Sequence, residues 1–117
     1  RVLIVVSDPT LANNIEGTLQ ENGYATTVAS DGFHAGSLLG TFKPSVMLLD
    51  LRIPGLSPDD VVKFVESAAG MDRIKVLITS NDDNEGVATS ADDFIRQPFS
   101  SEELVTRLNQ LLEPTFA

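Results

Sequence analysis

The 117-residue chain carries 42% hydrophobic residues and a formal net charge of −9, without a cysteine. That length predicts one domain, residues 1–117, with a real core, and the missing cysteines exclude disulfides, thiolate metal sites and a cysteine nucleophile. The eight lysines and arginines are scattered among seventeen acids, so nucleic-acid binding by this domain is not expected. No apolar run approaches the roughly 20 residues of a membrane span, so no membrane contact is expected. Arg1 leads straight into an apolar run without the pattern of a signal peptide. The abrupt start is read as that of a domain excised from a larger protein, which leaves a secretion signal upstream open. The cysteine-free composition fits a cytoplasmic protein.

Apolar runs alternate with segments of helical period. Val2–Val6 is continuous, as in a strand buried on both faces. From Thr10 to Asn22, Leu11, Ile15 and Leu19 recur at four-residue steps, which predicts an amphipathic helix that Gly23 stops. Tyr24–Ala29 is rich in β-formers. Ser30 or Asp31 caps a second helix running to about Phe42, with Ala35, Leu38, Leu39 and Phe42 inward, broken by Lys43-Pro44. Val46–Leu49 is the third strand. Pro54-Gly55 turns the chain, and Ser57-Pro58 reads as a cap and first helical residue before a helix using Val61, Val62, Val65 and Ala69. Ile74–Ile78 is the fourth strand and Phe94-Ile95 a short fifth. Ser100 or Ser101 opens the last helix, with Glu103 as capping-box partner and Leu104, Leu108, Leu111 and Leu112 inward.

Strands alternating with helices predict a parallel sheet covered on both faces, wound by right-handed crossovers into a doubly wound α/β sandwich. Functional groups in such sheets collect at the carboxyl ends of the strands. Those ends are Val6-Ser7-Asp8, Asp50, Thr79-Ser80 and Arg96-Gln97.

With "RVLIVVSDP", "ENGY", "SDG", "MLLDLRIPG", "VLITS", "ADDF" and "QPFSSEELVTRL" in this order, nearly the whole chain resembles the response-regulator receiver family of two-component signalling. The resemblance implies the flavodoxin-like sandwich with strand order 2-1-3-4-5. In that family a histidine kinase passes a phosphoryl group to an aspartate after the third strand, and Asp50 holds that position. Two acids after the first strand hold Mg²⁺; Val6 and Ser7 stand there. A hydroxyl after the fourth strand contacts the phosphoryl group, and Thr79 matches it. A lysine before a proline, after the fifth strand, pairs with the phosphoaspartate; here it is Gln97 before Pro98. Phe94 matches the family's aromatic switch. Arg52 matches the residue whose backbone carbonyl contacts the metal.

The acceptor and the hydroxyl are therefore kept, whereas the acid pair and the lysine are lost. Phosphoryl transfer depends on positioning and charge neutralisation, and Mg²⁺ demands oxygen ligands in near-octahedral geometry. Val6 offers a hydrocarbon and Ser7 a neutral hydroxyl. No cofactor is expected, with at best weak Mg²⁺ binding by Asp50 and Asp8. Gln97 donates hydrogen bonds without charge. Arg52 or Arg96 is read as a solvated cation or as a partner of Asp50 in the metal's place. His34 is read as a surface residue. The stretch from Thr79 to Gln97 is about one turn short of the family's, which predicts a shortened fourth helix over the polar segment Asn81–Ser90.

The leading expectation is a degenerate receiver, non-enzymatic, that binds protein partners without a phosphorylation cycle. Those partners are a histidine kinase, an output domain in the same chain, or a second copy in a homodimer. The alternative is a working phosphoreceiver at Asp50. A calcium loop over Asn81–Gly86 lacks its twelfth-position glutamate. An FMN-binding enzyme would need glycine in the loop after the first strand, and "SDPTLANN" has none.

Overall fold

The computed structural model describes residues 1–52, 63, 74–80 and 92–112. The helix expected after Ser57, the Pro54-Gly55 turn, and the Asn81–Ser90 segment with its shortened helix and cation-loop pattern all lie outside the described residues. The described elements are β1 (Val2–Val5), α1 (Pro9–Glu21), β2 (Thr26–Ala29), α2 (Gly32–Thr41), β3 (Val46–Asp50), β4 (Lys75–Ser80), β5 (Asp93–Arg96) and α3 (Ser101–Leu112).

The strands form one five-stranded parallel sheet in the order β2-β1-β3-β4-β5. In the register Val2 pairs with Val46, Leu3 with Met47 and Val5 with Leu49. Because side chains alternate across a pleat, each strand feeds both faces. Leu3, Val5, Met47, Leu49, Val76 and Ile78 join Ala35 and Leu39 of α2. Val2, Ile4, Val6, Val46, Leu48, Leu77 and Ile95 join Ala12, Ile15 and Leu19 of α1 and Leu104 and Leu108 of α3. Continuous apolar runs such as Val2–Val5 follow from this double burial.

The helix ends are set by local chemistry. The Asp8 carboxylate accepts from the Thr10 amide at 3.0 Å, which caps α1 one residue before Pro9. That start is one residue earlier than the apolar spacing places it. Asp31, not Ser30, caps α2: its carboxylate accepts from the His34 amide at 2.8 Å and contacts the His34 ring. Those bonds hold the Asp31 carboxyl below the usual carboxylate range, the backbone N–H contributing most. In α3 the Ser100 hydroxyl accepts from the Glu103 amide at 3.0 Å. The Glu103 side chain lies beside Arg107 at 3.9 Å, so only half of the expected capping box has its bond here.

The end of α1 is a left-handed turn at Gly23, with φ of 88°. Its amide donates to the Gln20 carbonyl and the Tyr24 amide to the Leu19 carbonyl, at 3.1 and 3.0 Å, the paired bonds of a glycine-terminated helix. An added Cβ at Gly23 meets nothing within 4 Å, so substitution there carries a backbone cost alone. Gly23→Ala is expected to lower stability by about 1 kcal/mol in urea denaturation; a loss near zero would show that the left-handed turn is not what ends α1.

Candidate functional site

The parallel register carries four strand ends to one edge of the sheet. Asp50 is paired with Thr79 across β3 and β4, and Ser80 with Arg96 across β4 and β5. Backbone bonds continue the ladder beyond the side chains. The Leu51 amide donates to the Thr79 carbonyl at 3.1 Å, and the Gln97 amide to the Ser80 carbonyl at 2.9 Å. Asp50, Leu51, Thr79 and Gln97 are thus held together by main-chain geometry.

Asp50 is 2% exposed, and among the described residues its carboxylate has three partners from two segments. The Arg52 amide donates to Oδ1 at 2.9 Å. The Arg52 guanidinium lies 3.8 Å from the same oxygen through Nε. The Gln97 side-chain amide donates to Oδ2 over a long 3.5 Å. Arg52 Nη2 in turn donates to Gln97 Oε1 at 3.4 Å, so Asp50, Arg52 and Gln97 close a ring of side chains. The peptide bond after Gln97, to Pro98, is cis.

The rest of the edge differs in kind. Val6 is 1% exposed and packs into the apolar cluster with α1 and α3. Ser7 is half-buried, while Asp8 is exposed and holds the α1 cap. Among the described residues the buried Thr79 hydroxyl has no hydrogen-bond partner, although an unpaired buried hydroxyl is costly. Phe94 is half-buried and packs against the α2-side core. Arg96 is exposed at the end of β5, and His34 is exposed at the start of α2.

A hard divalent cation wants six or more oxygens, several of them anionic. At this edge it would meet one carboxylate, a hydrocarbon at Val6 and a guanidinium beside Asp50. Among the described residues no group of three His, Cys, Asp or Glu side chains is placed to hold a metal. The donor set does not fit such an ion. No described helix is long and apolar enough to cross a membrane.

A five-stranded parallel sheet in this order, with a buried aspartate ending its third strand, is the arrangement of a receiver domain. The chain belongs to that family: residues 2–109 match the response regulator receiver domain model. It is similar to the DNA-binding response regulator MtrA of Mycolicibacterium smegmatis, at 33% identity over 116 residues, 96% of this chain and 50% of the relative. The chain spans about half the length of the curated relatives it matches. Among solved structures, a signal receiver domain from Bermanella marisrubri has a TM-score of 0.84 and 30% identity, covering 97% of this chain and 98% of the other. The receiver domain of the Francisella response regulator 1452 has a TM-score of 0.80 and 33% identity, covering 94% and 93%.

Two features at the edge were not read from the residue pattern. Asp8 is committed to a cap, although Asp8-Pro9 carries the same cap-then-proline signature that Ser57-Pro58 does. Gln97 both donates and accepts, where the position alone marks only a missing lysine. The orphaned Thr79 hydroxyl gives a test. Thr79→Val, nearly equal in shape, is expected to raise stability by about 1 kcal/mol in urea denaturation; a loss of that size would mean that the hydroxyl has a partner in the folded protein.

Proposed function

We propose that this chain is a divergent receiver domain that acts as a phosphorylation-independent protein-interaction module within a larger cytoplasmic signalling protein. The observation that carries this reading is the surrounding of Asp50. Its carboxylate is held by Arg52 and Gln97, and Val6 turns the neighbouring acid position into core. Loss of the acid pair and of the site lysine removes charge that phosphoryl transfer needs. The fold does not depend on that charge, because the sheet edge is held by backbone bonds. In this reading the domain is not an enzyme, needs no cofactor, and Thr79, Phe94 and Ser7 are remnants of a phosphoryl site.

The partners are proteins. The curated relatives are about twice as long as this chain, and MtrA is described as DNA-binding; by that likeness an output domain in the same polypeptide is the first partner. A histidine kinase and a second copy of this chain are the others. Nucleic acid is not a partner of this domain, whose acids outnumber its bases.

A second reading has one observation in its favour. The Thr79 hydroxyl is buried and unpartnered beside Asp50, as a working phosphoreceiver would leave it for an incoming phosphoryl oxygen. Incubation with a small-molecule phosphodonor and Mg²⁺, followed by intact mass, separates the two. The expected result is no gain of a phosphoryl group. Stoichiometric, Mg²⁺-dependent gain that is lost in Asp50→Asn would establish the second reading instead.

A further inference from the structure

We infer that Arg52 and Gln97 form a coupled clasp that supplies in-chain the positive charge a divalent metal would bring to Asp50. A side-chain amide such as that of Gln97 has one donor end and one acceptor end. At this edge both ends have partners of the right sign: Nε2 faces Asp50 Oδ2 at 3.5 Å and Oε1 faces Arg52 Nη2 at 3.4 Å. The carboxylate and the guanidinium between them fix which end of the amide points where. A lysine has three donors and no acceptor, so it could hold Asp50 but would meet Arg52 cation to cation. Gln97 therefore serves both neighbours, which a lysine at the same place could not.

The charges follow the same logic. Arg52 places a guanidinium 3.8 Å from Asp50 Oδ1 and its own amide at 2.9 Å on that oxygen. A guanidinium is permanently charged and planar, suited to bridging a carboxylate and an amide oxygen at once. A dication arriving at Asp50 would have to displace it or sit beside it, and at separations of about 5 Å even water-like screening leaves a repulsion worth about tenfold in affinity. The clasp also ties the end of β3 to the segment after β5 that leads into α3. It holds those two segments in one arrangement without an external ligand.

This inference goes beyond the interaction-module reading and is separable from it. Ser7→Asp restores one acid at a half-buried position of the edge. Mg²⁺ titrations followed by backbone amide resonances then compare Ser7→Asp with Ser7→Asp/Arg52→Met. The double variant is expected to bind Mg²⁺ about tenfold more tightly or better. Equal affinities, or no binding by the double variant, would overturn the clasp as the metal's substitute. A second measurement needs no new acid. Arg52→Met in the otherwise native chain is expected to shift the Gln97 and Phe94 amide resonances, and that shift is expected to be largely lost when Gln97→Met is already present. Perturbation confined to Asp50, Leu51 and Arg52, or equal in both backgrounds, would overturn the bridge. A positive phosphodonor assay would retire the interaction-only reading and leave these outcomes untouched.

Discussion

Removing a carboxylate from water costs several kcal/mol unless donors and a cation replace the hydration it loses. Asp50 is in that position at the end of a strand buried on both faces. The sheet dictates the burial: β3 is central, flanked by β1 and β4, and no water-facing side is open to it. What satisfies Asp50 must come from the loops that leave the strand ends. It does, from the Arg52 amide and guanidinium directly after β3 and from Gln97 directly after β5. The form of the edge is the consequence of that one requirement.

The fold and the site are held by different interactions, and this separation explains how the chemistry can be altered while the architecture stays. Core packing on the two faces uses leucine, isoleucine and valine from β1, β3, β4 and β5, and β2 adds buried Ala29 and partly buried Val28. The register at the edge is set by main-chain bonds, from Leu51 to Thr79 and from Gln97 to Ser80. None of these requires an acid at position 6 or a lysine at position 97. Val6 adds to the core on the α1 and α3 side, where an acid would have to be solvated or bound to a metal. Thr79 is the exception, a buried hydroxyl without a partner that contributes nothing to packing a methyl would not.

Much of the fold was legible in the residue pattern, because a doubly buried sheet forces continuous apolar runs and its covering helices force a four-residue repeat. The strand order came instead with the family resemblance, and the sheet has that order. The differences are at element ends, where tertiary pairing overrides local composition. β4 runs from Lys75 to Ser80, not from Ile74 to Ile78, since Thr79 and Ser80 pair with β5 despite being polar. β5 extends from Asp93 to Arg96 for the same reason, and β1 stops at Val5 although Val6 is just as apolar. At the carboxyl edge, the family resemblance marked Asp50, Thr79, Gln97 and Arg52, and the sheet brings these four together. The Asp8 cap had its signal in Asp8-Pro9; what position could not give is that the Gln97 amide faces an anion at one end and a cation at the other.

The Arg52 guanidinium lies 3.8 Å from the Asp50 carboxylate, where a divalent metal would compete with it. A high-resolution crystal structure of the domain grown in millimolar Mg²⁺ tests this most directly. The expected density has the Arg52 side chain between Asp50 and Gln97, with no octahedral ion on the carboxylate. An ordered Mg²⁺ bound to Asp50, with Arg52 turned out to solvent, would contradict it.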